Sequence, residues 1–115
     1  MEKLCKIRDL QRSIIKFETN FQKQYGICLN EGMLLCTLLQ EGKLSSSQIG
    51  EHLGLSHSNT SKVIKSVEEK ELIQRVIGDK DKRQMYFSLS KKGEQVIHNI
   101  HCSTVGIPEK LEDFI

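Results

Sequence analysis

The sequence predicts a mainly α-helical fold that also contains a small β-hairpin (α+β). Within residues 44–72, two short helical patterns stand on either side of a tight break. Two segments of alternating apolar and polar residues follow, with a charged loop between them. Helix, turn, helix, strand, loop, strand is the order of a winged helix-turn-helix. We expect a single domain over residues 1–115, with the winged helix at 30–93.

Length and composition narrow the class of protein. The chain has 115 residues, of which 28% are charged and 5% aromatic, which suits one helical domain. Its net charge of +2 is too small to indicate a nucleic-acid partner by itself, so the placement of the charge matters more. No apolar run approaches the roughly 20 residues of a membrane span, and the charged N-terminus has no apolar signal core. The sequence therefore predicts a cytoplasmic protein with no membrane partner.

The first predicted helix covers residues 3–24. Its apolar residues recur at alternating steps of three and four, a heptad-like seam. These residues are Ile7, Leu10, Ile14, Phe17 and Phe21. Such a stripe packs either on its own domain or against a second copy of the chain. Its length favours a subunit interface, because one long stripe needs a long partner.

A second helix is predicted from Asn30, which is expected to be its N-cap, to Gln40. Apolar residues lie almost all round it, so we expect it to be buried. Ser45 then begins a third helix with a capping box completed by Gln48. Gly54 suits the left-handed position after that helix. Ser56 caps the next helix at once.

The recognition helix of the predicted pair covers residues 56–70. Thr60, Val63, Ile64 and Val67 mark its inner face. The opposite face is free of carboxylates until Glu68. Hydroxyls and N–H groups at a helix start bind phosphate, and Asn and Lys reach base edges. The residues of this helix expected to bind DNA are Ser56, His57, Ser58, Asn59, Ser61, Lys62 and Lys65.

Residues 72–77 and 84–89 alternate as the two strands of a hairpin. The wing between them, residues 78–84, carries Lys80, Asp81, Lys82 and Arg83. A charged tip is often only a solvated loop, but here it follows a recognition helix. We therefore expect Lys80, Lys82 and Arg83 to contact DNA, and Arg is well suited to the minor groove. Asp81 would repel phosphate unless it holds Arg83 in place by a charge-assisted hydrogen bond. From Ser56 to Lys92 there are nine basic and five acidic residues, so the net charge of +4 exceeds that of the whole chain.

Several short motifs together resemble the MarR family of bacterial transcriptional regulators. They are Leu53-Gly54-Leu55-Ser56, Leu72-Ile73, Asp81-Lys82-Arg83 and Leu89-Ser90-Lys91-Lys92-Gly93. The resemblance implies a homodimer whose interface is formed by dimerisation helices at residues 1–25 and 94–115. It further implies that the two winged helices read a roughly palindromic stretch of double-stranded DNA. It also implies that a small-molecule effector, an oxidant or a metal can relieve repression.

Two features depart from that family. Glu71 stands where the family usually has Gly, so either Glu71 adopts a positive φ or the helix ends differently. The C-terminal region is also short. Ser90 is expected to cap a helix, Val105 to Pro108 form a break, and residues 109–115 are expected to form a last short helix.

Other functions have weaker support in the sequence. His98, His101 and Cys102, with Cys5, could in principle form a metal or thiol-sensing site, but no nearby carboxylate or C-x-x-C pair completes it. No nucleophile motif, phosphate loop or carboxylate pair indicates an enzyme, and no cofactor is expected. The remaining alternative is a winged helix that binds protein rather than DNA. That function would tolerate acidic residues on the exposed face of residues 58–66, which has none.

Overall fold

The computed structural model of the protein describes residues 2–78 and 83–102. Residues 2–29 belong to one compact unit and residues 30–102 form a second. The break at Val105 to Pro108 and the short helix expected at 109–115 lie outside the described residues. No helix in the described part of the chain is both long and apolar enough to cross a membrane.

The first unit contains helix α1, Glu2–Tyr25, close to the range that the heptad-like seam predicts. Phe21 is its buried residue, and the Phe21 ring lies 5.9 Å from that of Phe17 and 4.9 Å from that of Tyr25. The helix ends at Gly26, which has a φ of +72°. The N-terminal two thirds of the helix leaves four large apolar side chains exposed: Leu4, Ile7, Ile14 and Ile15.

Helix α2 is Leu29–Glu41, and its residues from Asn30 onward belong to the second unit. The prediction that Asn30 is its N-cap was wrong, because Leu29 is already helical. The expectation of burial all round was only partly right. Leu34, Leu35 and Leu38 are almost fully buried, whereas Met33 is 39% and Leu39 46% exposed. A helix at the edge of a small unit has too few neighbours to cover every apolar face.

Helix α3, Ser46–Leu53, begins with the predicted capping box. The Ser45 hydroxyl accepts from the Gln48 N–H, and the Gln48 side chain accepts from the Ser45 N–H. Gly54 follows in the left-handed conformation, with φ +67°. Helix α4, His57–Glu69, starts three residues later, so the turn is as short as predicted.

Three strands form one antiparallel sheet in the order β1-β3-β2. Strand β1 is Lys43–Leu44, β2 is Ile73–Ile77 and β3 is Met85–Leu89. The sequence predicted the hairpin of β2 and β3, but not that β1 joins the hairpin. Helix α5, Lys91–Cys102, follows β3 directly.

The core of residues 30–102 takes apolar side chains from every helix and strand of that unit. Thr60, on α4, is also buried. Burial on this scale supplies the main force that holds the elements together. The buried apolar residues are Leu34, Leu35, Leu38, Leu44, Ile49, Ile64, Val67, Leu72, Ile73, Phe87 and Ile97.

Candidate nucleic-acid interface

The N-terminal end of α4 presents a polar surface to solvent. Ser56 caps the helix through its hydroxyl, which accepts from the Asn59 N–H at 3.1 Å. Local backbone and side-chain chemistry therefore fixes where the helix starts. All seven residues that the sequence predicted here are exposed: Ser56, His57, Ser58, Asn59, Ser61, Lys62 and Lys65.

Helices α3 and α4 approach closely where they cross. A Cβ atom added at Gly50 would lie 2.9 Å from the Thr60 hydroxyl, so a side chain there would require that hydroxyl to shift. The Thr60 hydroxyl itself donates to the Ser56 carbonyl at 2.8 Å. The absence of a side chain at Gly50 thus lets α3 approach α4 closely at Thr60.

The C-terminal end of α4 is closed by a Schellman motif. The Glu71 N–H donates to the Glu68 carbonyl at 2.9 Å, and the Leu72 N–H to the Val67 carbonyl at 3.0 Å. Glu71 occupies the left-handed position with φ +62°. Of the two alternatives that the sequence left open, the positive φ is the one adopted.

The Leu89 to Gly93 motif fastens this turn to α5. The Ser90 hydroxyl donates to the Glu71 carbonyl at 2.7 Å and accepts from the Gly93 N–H at 3.0 Å. The Ser90 N–H also donates to the Leu72 carbonyl at 3.1 Å. A Cβ atom at Gly93 would lie 2.0 Å from the Leu72 carbonyl oxygen, so this position has no room for a side chain.

Arg75 is a cation of this surface that the sequence reasoning missed. Its guanidinium donates to both carboxylate oxygens of Glu68, at 2.8 Å and 3.2 Å, and lies 5.8 Å from the centre of the Phe87 ring. The hydrogen bond and the charge of Glu68 raise the pKa of the Arg75 guanidinium. Its partner lies on another element, so spacing along the strand could not have paired the two residues.

A cleft beside α4 brings Arg75 close to two residues of the predicted interface. Its walls come from α3, α4 and the sheet, and they include hydroxyls, a lysine and an arginine together with Glu68. The described residues that line it are Ser46, Ser61, Ile64, Lys65, Glu68, Arg75 and Phe87. Ser46, in the first turn of α3, is a second residue that the sequence did not single out.

The wing is described only at its base. The Gly78 N–H donates to the Gln84 carbonyl at 3.0 Å and closes the hairpin. Arg83 is exposed. Lys80, Asp81 and Lys82 lie outside the described residues, so the expected orientation of Arg83 by Asp81 stays a prediction.

The metal or thiol alternative gains no support from the described residues. His98 and His101 are exposed on α5, and Cys5 is an exposed free thiol on α1. The side chain of Cys102 lies outside the description. Within the described ranges, no group of three or more His, Cys, Asp or Glu side chains could hold a metal ion.

Comparison with known proteins gives evidence about the family of this chain that is independent of the geometry of the site. A model of the MarR family matches residues 27–85. The uncharacterized HTH-type transcriptional regulator YwaE of Bacillus subtilis is 30% identical over 94 residues, which cover 82% of this chain and 55% of YwaE. The HTH-type transcriptional regulator SarZ of Staphylococcus aureus is 27% identical over 85 residues, or 74% of this chain and 57% of SarZ. The chain thus matches little more than half the length of these relatives.

The fold also matches solved structures. A mutant MarR from E. coli complexed with operator DNA superposes with a TM-score of 0.75 at 14% identity, covering 87% of this chain and 74% of that one. At this level of identity the likeness concerns the fold alone, and it confirms a helical fold with a small antiparallel sheet, the winged helix-turn-helix that the sequence predicted.

Proposed function

Because the chain belongs to the MarR family, we propose that it is a DNA-binding transcriptional regulator rather than an enzyme. Helix α4 would enter the major groove of a double-stranded operator, and the wing at residues 78–84 would follow the adjacent minor groove. The cytoplasm is its expected location, since the DNA that it would read is there.

The observation that carries this proposal is the exposed, acid-free face at the start of α4. Ser58, Asn59, Ser61, Lys62 and Lys65 are all solvent-accessible, while the opposite face of the same helix is buried. Hydroxyl, amide and ammonium groups are the donors that contact phosphates and base edges. A helix that served only to support the fold would have no need for a polar face without carboxylates.

Arg75 and Ser46 extend this surface along the predicted path of a phosphate backbone. Glu68 accepts from Nε and one terminal nitrogen of Arg75, along a single edge of the guanidinium, and leaves other N–H groups of this exposed side chain available to an anion. We expect Arg75, with Lys65, Ser61 and Ser46, to contact the backbone that passes between the recognition helix and the wing.

The proposed regulator is a homodimer. In the first unit, α1 exposes 71% of Leu4, 59% of Ile7 and 40% of Ile14, which together follow one side of the helix. Apolar side chains at this density on one helix face are typical of an interface. The family implies that a second copy covers them and that the two winged helices read half-sites of a pseudo-palindrome. A small-molecule effector is proposed from the family alone.

The test measures binding to duplex DNA as a function of salt. Duplexes bound by the wild-type protein are first selected from a random pool. Lys62→Ala and Arg83→Ala are each expected to weaken binding to a selected duplex, and loss of a phosphate contact lowers the slope of log K against log salt by about one unit. Lys16→Ala, on α1, removes the same charge at a position outside the proposed DNA contacts and is the matched control.

A winged helix that binds protein instead of DNA is the rival proposal. It would leave the affinity for duplex DNA unchanged in both variants, or would yield no selected sequence from the random pool. Equal losses in Lys16→Ala and Lys62→Ala would indicate a general charge effect, which would also contradict the proposed contacts.

A further inference from the structure

A buried carboxylate joins α2 to the recognition helix. Glu31, in the first turn of α2, is 4% exposed. Its Oε2 atom accepts from the Lys70 ammonium at 2.7 Å and from the Ser66 hydroxyl at 2.9 Å. Ser66 and Lys70 lie four residues apart, on one side of α4. Glu31 therefore holds the last turn of α4 at two points.

The surroundings of this contact suit its charges. The start of a helix carries partial positive charge and the end partial negative charge. Glu31 lies at the start of α2, where the partial positive charge favours its carboxylate. Lys70 is the C-cap residue of α4, where the partial negative charge favours its ammonium group. A buried carboxylate without a cation would be costly, which makes the position of Lys70 a requirement for burial of Glu31.

The same helix carries the reading surface at its other end. Ser58 lies 12 residues before Lys70, or about 18 Å along a helix axis. Because a short helix moves as a rigid rod, a shift of its last turn tilts the side chains at its first turn. Glu31 thus acts at a distance on residues that it does not contact.

We propose that Glu31 is a positioning residue for DNA recognition: its buried carboxylate, through Lys70 and Ser66, sets the orientation of α4 and thereby its ability to discriminate between base sequences. This inference rests on the proposed function. Discrimination depends on side chains reaching base edges in register, whereas non-specific binding depends mainly on phosphate charge. Replacement of Glu31 should therefore change discrimination between base sequences and leave non-specific binding unchanged.

The direction of the expected effect separates positioning from simple electrostatics. Glu31→Gln removes a negative charge, so electrostatics alone would tighten binding to every duplex. Positioning instead weakens binding to the selected sequence. Lys70→Met keeps the apolar stem and removes the cation. The double variant Glu31→Gln/Lys70→Met removes the ion pair and has the net charge of the wild type, which makes it the matched control for charge.

The experiment compares the dissociation constants for a selected duplex and for a scrambled duplex of equal length, at one salt concentration and at a temperature where circular dichroism shows each variant folded. In the double variant, the dissociation constant for the scrambled duplex divided by that for the selected duplex is expected to fall about tenfold. This is the effect of weakening one base contact. Its affinity for the scrambled duplex should stay within about twofold of the wild type.

A ratio that is unchanged in all three variants, with lowered thermal stability, would make the Glu31 contact a structural one and overturn the proposal. If the wild type itself does not discriminate between duplexes, the proposed function fails, and the positioning role is then read from amide chemical shifts. Shifts caused by Glu31→Gln that reach residues 58–62 support it. Shifts confined to the neighbours of Glu31, Ser66 and Lys70 contradict it.

Discussion

Replacing Glu71 by Gly should stabilise the protein. Glu71 has a φ of +62° in the turn that ends α4, and its side chain is exposed. A left-handed conformation costs an L-residue about 1–2 kcal/mol, which Gly avoids. Gly loses more conformational entropy on folding, about 0.5–1 kcal/mol. The difference leaves a net gain of about 0.5–1 kcal/mol in the free energy of unfolding, or about 2–6 °C in Tm.

The matched control is Glu71→Ala, because Ala keeps the left-handed strain while losing the side chain. It also removes a carboxylate that lies unfavourably near the C-terminal end of α4, so any benefit of that charge change appears in both variants. Urea unfolding followed by circular dichroism, at one protein concentration, gives the two free energies. A Gly variant no more stable than the Ala variant would refute the assignment of strain to the backbone of Glu71.

Two further substitutions test how the winged helix is held together. Gly93→Ala should destabilise the protein by about 1–3 kcal/mol or more, because the added Cβ atom would overlap the Leu72 carbonyl. An unchanged Tm in a thermal melt would show that α5 can move away from that turn at little cost. Leu34→Ala, at a fully buried position of α2, should lower the free energy of unfolding by about 2–5 kcal/mol. Leu39→Ala, at a position that is 46% exposed, should lower it much less. Equal losses of free energy in urea unfolding would contradict the burial pattern of α2.

Features that depend on residues close together in sequence were predictable. The capping box of Ser45 and Gln48, the left-handed Gly54 and the cap at Ser56 all arise within a few residues of backbone. The alternating segments after α4 likewise predicted the strands to within a residue. The start of α2 was misplaced because Asn30 resembles a cap wherever it lies near a helix start, and helix ends are the least certain boundaries.

Features that join distant residues were not predictable from spacing. Glu31 is buried because its partners, Ser66 and Lys70, come from α4, 35 and 39 residues later. A Glu in the first turn of a helix is ordinarily an exposed residue. Arg75 of β2 pairs with Glu68 of α4 across the turn between them, a contact that the alternation of the strand does not reveal. These contacts follow from the packing of elements, which one sequence pattern does not contain.

The recognition helix therefore differs between its two ends. Its first turns have a polar, exposed face, begin at the Ser56 cap and carry the buried Thr60, which α3 approaches at Gly50. Its last turns and the turn that follows are held by side chains of three other segments: Glu31 of α2, Arg75 of β2, and Ser90, just before α5, which binds the Glu71 carbonyl. A helix anchored at its back end presents its front end in a defined direction while keeping its polar groups free for a partner. Under the proposed function, weakening the Glu31 contact should consequently alter which base sequence α4 prefers.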